Sequence, residues 1–186
     1  MSHFYDVIPE KIIWCYGIYT PFIENLLSEF PNIILLKNLP SEEILDQYCN
    51  GTSHIALILD DLMDALEKQK QFSVNLFTRY SRHKVLSVYF LCQNQYHVSR
   101  TIQINCSHIF LLHPGRDYQN FRTLSSQMFP RAGPVLINIW KDLERNNFKY
   151  PYILLNVAPN IPYYLKILTR VFKNEDCISY IINNNR

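Results

Sequence analysis

Two acidic residues stand directly after a nearly continuous apolar run in this chain. The run is His54-Ile55-Ala56-Leu57-Ile58-Leu59, and Asp60 and Asp61 follow it. A buried strand that ends in carboxylates is how enzymes of phosphoryl transfer present oxygen ligands to Mg²⁺ and orient the attacking water. We therefore predict that Asp60 holds the water shell of a metal ion and that Asp61 orients water. The structural alternative is that the pair caps a helix beginning near Leu62, because Asp is a favoured N-cap residue.

A second polar strand end follows the predicted strand at 84–92. This strand delivers Gln93 and Asn94 to its carboxyl end. Ligands of open parallel sheets bind beyond the carboxyl ends of the strands, so Gln93 is expected beside the acidic pair, where it would sense a γ-phosphate or water. Taken alone, Gln93-Asn94-Gln95 would be an ordinary polar turn. The prediction therefore depends on the two strand ends together.

Arginine is suited to stabilising the charge of a transferring phosphoryl group across a subunit boundary. The arginines considered for this role are Arg79, Arg82, Arg100 and Arg116. The histidines and cysteines, by contrast, form no recognised metal or nucleophile spacing, and neither Cys92 with His97 nor Cys106 with His108 is such a pattern. We expect these residues to be structural.

The elements that must position these residues alternate along the chain. Short apolar or β-branched runs alternate with amphipathic segments of helical period, which indicates an α/β fold with a mainly parallel sheet covered by helices on both faces. Strands are predicted at 11–16, 32–36, 54–59, 84–92, 102–112 and 152–155. Helices are predicted after Pro21, from Ser41 as N-cap, and at 118–128 and 135–146.

Composition excludes several classes of protein. The 186 residues are about one domain long and contain no repeat or linker, so one domain over residues 1–186 is expected. The net charge of +2 is too small to predict a strong electrostatic field that would indicate a nucleic-acid or membrane partner. The five cysteines are widely spaced without C-x-x-C, which favours a reducing compartment. No segment approaches 18 continuous apolar residues, so no contact with a membrane is expected.

A phosphate-binding loop is missing from this sequence. Such a loop needs G-x-x-x-x-G-K-[ST], whose backbone amides cradle phosphates while Lys and Ser or Thr reach the γ-phosphate and Mg²⁺. None of Gly17, Gly51, Gly115 or Gly133 begins that motif. The acidic and sensor positions are therefore present without their usual partner.

Several segments together resemble the genome-packaging ATPases of double-stranded DNA viruses and Maverick-type elements, which are P-loop NTPases of the FtsK–HerA-like class. The segments are Ile12-Ile13-Trp14-Cys15-Tyr16-Gly17, Leu59-Asp60-Asp61-Leu62-Met63, Leu76-Phe77-Thr78-Arg79, Phe90-Leu91-Cys92-Gln93-Asn94 and Arg116-Asp117. They occur in the family's order from about residue 9 to residue 129, and the resemblance continues more weakly to the end.

The resemblance implies roles for individual residues. Asp60 matches the Mg²⁺-binding acid, Asp61 stands where many relatives of the wider class use Glu, Gln93 matches the sensor, and Arg100 matches a trans-acting arginine. ATP and Mg²⁺ are the implied cofactors. Double-stranded DNA and further ATPase subunits, identical or full-length, are the implied partners. The implied location is intracellular, in the host nucleus or a virus factory.

The missing loop leaves three functions open. In the family, a strand, the P-loop and a helix precede the segment matching Ile12 to Gly17, so the chain is expected to be a truncated homologue, impaired in ATP hydrolysis by itself. Alternatively, it works in an active ATPase whose P-loop comes from other sequence, or it is a plain module that binds protein or DNA. The gap in the sheet would be closed by pairing 84–92 with 102–112, filled by a strand from elsewhere, or left open at a cost in stability.

Overall fold

The computed structural model describes residues 8–30, 32–49, 53–94, 98–113, 115 and 118–182. They form two compact units, the first ending at Asn105 and the second beginning at Cys106. Each unit contains one four-stranded sheet. The single domain over residues 1–186 stays a prediction.

The first unit has the predicted parallel sheet flanked by helices. Its strands are β1 (Lys11–Tyr16), β2 (Ile33–Lys37), β3 (Ile55–Asp60) and β4 (Leu86–Leu91). They are ordered β2-β1-β3-β4, and every neighbouring pair is parallel. The central strands β1 and β3 are the most apolar because both of their faces are covered. This confirms the α/β class and fits a three-layer sandwich of the P-loop NTPase type.

The two helices predicted in the first unit, after Pro21 and from Ser41, begin where local signals place them. The helices of this unit are α1 (Pro21–Glu29), α2 (Glu42–Tyr48), α3 (Met63–Lys68), α4 (Lys70–Asn75) and α5 (Ser81–His83), with a π-helical turn at Leu76–Tyr80. Ser41 is confirmed as the N-cap of α2, because its Oγ accepts from the Ile44 amide at 3.4 Å. In the π-helical turn, the Thr78 hydroxyl donates to the Val74 carbonyl at 2.6 Å.

The strand predicted at 102–112 is wrong over its first part. That part is helix α6 (Arg100–Asn105), and only β5 (His108–Leu111) is extended. Side-chain bonds hold both ends of α6: the Ile102 amide donates to Ser99 Oγ at 3.4 Å, and Asn105 Nδ2 donates to the Thr101 carbonyl at 2.8 Å. The bond to Ser99 is an N-cap interaction, which favours a helix despite the alternating apolar pattern. Because β5 belongs to the second sheet, the proposed pairing of 84–92 with 102–112 is also wrong.

The second unit contains an antiparallel sheet that the sequence pattern does not predict. It consists of β5, β6 (Ile153–Asn156), β7 (Ile167–Thr169) and β8 (Ile178–Ser179) in that order, with a 3-10 turn at Tyr163–Leu165. Helices α7 (Tyr118–Met128) and α8 (Val135–Arg145) lie close to their predicted ranges. Trp140 and Leu143 of α8 are fully buried in a core with Ile153 and Leu155 of β6.

A buried serine joins the two long helices of the second unit. Ser125 of α7 is fully buried. Its Oγ donates to the Gly133 carbonyl at 2.8 Å and accepts from the Leu136 amide at 3.3 Å. Helix α8 has no side-chain cap of its own at Pro134, so Ser125 satisfies one of its first amides.

Candidate functional site

The carboxyl ends of three parallel strands meet at one edge of the first sheet. Asp60 is the last residue of β3, opposite Tyr16 of β1 and Leu91 of β4. Gly17 follows β1 directly, and a Cβ built on it would lie 3.7 Å from the Asp61 carbonyl oxygen. The predicted strand ends are therefore neighbours, at the edge where parallel sheets bind ligands.

Asp60 is held by an indole group. Trp14 Nε1 donates to Asp60 Oδ2 at 3.3 Å. Trp14 lies two residues before the residue paired with Asp60, so the period of two places both side chains on the same face. The sequence prediction missed this positioning role, although the strand alternation carries the signal for it. In the part of the chain that the structure describes, Oδ1 of this carboxylate accepts no hydrogen bond, so it could accept one from a metal-bound water.

Asp61 and Gln93 contact each other as predicted from the two strand ends. Gln93 Nε2 donates to Asp61 Oδ2 at 3.2 Å, and both side chains are exposed. The Asp61 amide donates to the Leu91 carbonyl at 3.1 Å, which extends the β3–β4 ladder by one residue. An exposed carboxylate oriented by an amide can bind and orient a water molecule.

The helix-cap alternative for the acidic pair is wrong. Helix α3 begins at Met63, its N-cap is Leu62, and no side chain caps it. Asp61 instead has a φ of +53°, in the left-handed region. Residues held in this region cost free energy and cluster at functional sites.

The conformation of Asp61 leads to a prediction that separates fold from function. We expect Asp61→Val to lower the free energy of unfolding by about 1–2 kcal/mol, because a β-branched residue is strained at this φ. Asp61→Asn is the matched control, because Asn tolerates left-handed backbone and its amide oxygen can still accept from Gln93. Urea denaturation followed by circular dichroism measures both variants. Equal stability of the two would contradict the backbone argument.

Three of the four arginine candidates, Arg79, Arg82 and Arg100, lie on the surface. Arg79 lies in the π-helical turn and Arg100 begins α6, and both are exposed. Arg82 Nη2 donates to Asn105 Oδ1 at 3.3 Å. Within the described residues, no hydrogen bond or ion pair joins Arg100 to the acidic pair. An exposed position is what action on a neighbouring subunit would require.

Some of the sequence predictions concern positions outside the described residues. These positions are Gly51, Gln95, His97, Arg116 and Asp117. The arginine candidate Arg116 and the last segment of the family resemblance are therefore not placed.

Asp60 and Asp61 could supply only part of the ligands of a magnesium ion. In the part of the chain that the structure describes, no cluster of three or more His, Cys, Asp or Glu could hold a metal ion. Magnesium in nucleotide sites needs less, because one or two carboxylates suffice when waters and phosphates complete the octahedron. Asp60, with one oxygen taken by Trp14, is compatible with that arrangement.

The nearby cysteine is structural. Cys15 of β1 is fully buried, and burial raises the pKa of its thiol to about 12. The thiol therefore stays protonated at neutral pH, whereas the thiolate is the nucleophile and metal ligand. Burial also raises the pKa of Cys106, which agrees with the structural role expected for it.

Comparison with known proteins places the chain within a family. Among the described residues, no helix is long and apolar enough to cross a membrane. No curated protein and no solved structure matches the chain. The sequence model of the poxvirus A32 protein family matches residues 29–128, more than half of the chain, and this range includes the acidic pair, Gln93 and Arg100. The chain therefore belongs to the poxvirus A32 protein family, a family of viral genome-packaging ATPases.

Proposed function

We propose that this chain is a homologue of a viral DNA-packaging ATPase that supplies the acidic and sensor side of a nucleotide site but hydrolyses ATP negligibly by itself. The observation that carries the proposal is the 3.2 Å bond between Gln93 and Asp61, beside Asp60 at the carboxyl edge of a parallel sheet. The 186 residues contain no P-loop motif. Without that loop, the phosphates lose most of their charge-assisted contacts.

Each residue of the site has a proposed role. Asp60 holds a water of the Mg²⁺ shell, and Trp14 orients its carboxylate. Asp61 orients the attacking water, and Gln93 links that water to the γ-phosphate. Arg100 acts on the site of an adjacent subunit. The Mg²⁺ ion would supply charge neutralisation for the ATP phosphates.

An active ATPase assembled from more than one segment is the second candidate function. It is favoured by the position of β4, which ends the described parallel sheet and pairs with β3. The unpaired backbone groups of an edge strand are a template for a further strand. We infer that a strand from other sequence adds to β4 and carries its P-loop to the Gln93 end of the sheet.

ATP turnover by the purified chain tests the proposal. We expect hydrolysis with Mg²⁺ and double-stranded DNA to be no higher than that of an Asp60→Ala/Asp61→Asn double variant, because both lack the phosphate cradle. Asp64→Asn, which removes an exposed acid of α3, is the control for charge alone. The impaired-homologue proposal would be overturned if the chain and the Asp64→Asn control both hydrolysed ATP and the double variant did not.

A complementation assay distinguishes the second candidate. A P-loop-bearing subunit of a related packaging ATPase, itself carrying a disabled acidic pair, would be added to the chain. Asp60-dependent turnover in the mixture would support a shared site. Unchanged turnover would favour the isolated homologue.

The remaining proposals concern assembly and location. Packaging ATPases act as oligomers on double-stranded DNA, so we propose self-association or association with full-length subunits, in the host nucleus or a virus factory. The third function considered, a non-catalytic module, would bind protein or DNA without nucleotide. Tight, salt-sensitive DNA binding whose affinity is the same with and without ATP would favour this third function.

A further inference from the structure

The second unit contains a cleft that is separate in sequence from the acidic pair. Its volume is about 210 Å³. It is formed by the segment that connects α8 to β6, by the last residue of β7 and by the chain that follows it. The lining residues are Phe148, Lys149, Tyr150, Pro151, Thr169, Arg170 and Glu175.

Arg170 is one of the two cations that line this cleft. Its guanidinium carbon lies 4.6 Å from the centroid of the Phe148 ring. Its Nε is buried and has no hydrogen-bond partner among the described residues. A buried donor without an acceptor costs free energy. A guanidinium group is well suited to the oxygens of a phosphate, because it offers them several N–H donors in a planar fork.

Tyr150 offers an aromatic surface beside a second cation. Its side chain is 76% exposed, which is unusual for a large ring. Lys149 Nζ lies 5.1 Å from the centroid of that ring. An exposed ring next to a positive charge is the combination by which proteins stack an unpaired base and hold its phosphate.

The acid of the cleft is already engaged by neutral donors. Glu175 Oε2 accepts from the Tyr152 hydroxyl at 3.0 Å and from the Phe172 amide at 3.1 Å. Within the described residues, no ion pair joins Glu175 to Lys149 or Arg170. The two cations are therefore available to an anion.

The charge of the chain is distributed unevenly. Residues 106–186 contain ten Lys and Arg and five Asp and Glu, a charge of +5. Residues 1–105 contain eight and eleven, a charge of −3. The small net charge of the whole chain hides this asymmetry. A basic half favours a polyanionic partner.

We propose that this cleft binds a nucleotide of single-stranded DNA, with the phosphate on Arg170 and Lys149 and the base stacked on Tyr150. A single strand is required because the bases of a duplex do not expose their faces. The choice of DNA rests on the proposed function, but the cleft requires neither ATP nor the acidic pair.

Fluorescence anisotropy tests the proposal with a labelled oligothymidylate of about 12 nucleotides, compared with a duplex of the same length. We expect tighter binding of the single strand by the full chain. Tyr150→Ala should weaken that binding about tenfold because it removes a stacked base, whereas Tyr150→Phe should retain it. Arg170→Gln should weaken it and reduce the slope of log K against log salt by about 0.7.

Lys141→Gln is the matched control, because it removes one charge from the exposed surface of α8, outside the cleft. Circular dichroism confirms that each variant is folded. Equal losses for Arg170→Gln and Lys141→Gln, no effect of Tyr150→Ala, or tighter binding of the duplex would each overturn the proposal. The assay contains no ATP and the acidic pair is intact, so its failure is distinguishable from failure of the proposed ATPase relationship.

Discussion

A Trp140→Ala variant is expected to lose about 3–5 kcal/mol of unfolding free energy, the cost of truncating a fully buried tryptophan. Trp140 is 0% exposed, and its ring packs edge-on against Phe121 with the centroids 5.8 Å apart. Its Nε1 also donates to Glu144 Oε1 at 2.9 Å. The substitution would leave a large cavity where α7 and α8 pack, so the second unit should unfold first. Calorimetry and circular dichroism in urea measure the loss.

Two further variants define the cause of that loss. Trp140→Phe keeps an aromatic ring in the core but removes the bond to Glu144, and we expect it to cost about 1–2 kcal/mol. Lys141→Ala changes the neighbouring exposed residue and should stay within about 0.5 kcal/mol of the parent. If Trp140→Ala were no less stable than Lys141→Ala, the tryptophan would not support this core.

A Leu57→Ala variant is expected to cost about 2–5 kcal/mol in the first unit. Leu57 is 0% exposed in the central strand β3, paired with Ile13 of β1 and Val88 of β4. Removing its side chain opens a cavity in a strand that is covered on both faces, so neighbours cannot collapse freely into it. Because Trp14 lies on the adjacent strand, its fluorescence in a Trp140→Phe background reports unfolding of this unit during a urea titration.

Leu91→Ala provides the matched control for that experiment. Leu91 has the same side chain but is 45% exposed at the end of β4. We expect a loss well below that of Leu57→Ala, because little apolar surface returns to water. Similar midpoints for the two variants would contradict the burial argument and would place the stability of the sheet elsewhere.

The acidic site was largely predictable because strand ends are local signals. An apolar run identifies a buried strand, its last residue identifies the edge, and parallel strands bring their carboxyl ends together. Gln93 and the acidic pair were expected at the same edge of the sheet, and the 3.2 Å bond between Gln93 and Asp61 confirms it. This reasoning did not predict the role of Trp14, because assigning an indole to a carboxylate requires the register of β1 against β3. Their catalytic roles stay predictions.

The second unit was less predictable because its order depends on distant pairing. The helices at 118–128 and 135–145 were visible from their apolar period. The antiparallel sheet was not, since β7 and β8 are only three and two residues long. Strands this short have little pattern of their own and become extended only when neighbours satisfy their backbone groups.

The sequence by itself determined the α/β class, the parallel sheet of the first unit, the helix starting after Ser41 and the position of Asp60, Asp61 and Gln93 at strand ends. These features depend on composition, period and capping within a few residues. Only the tertiary structure decided the helix at Arg100–Asn105, the division between Asn105 and Cys106, and the left-handed turn at Asp61. It also decided the cleft around Arg170. Each of these depends on which distant groups supply hydrogen bonds and cover apolar surface, and that information is absent from any short stretch of the chain.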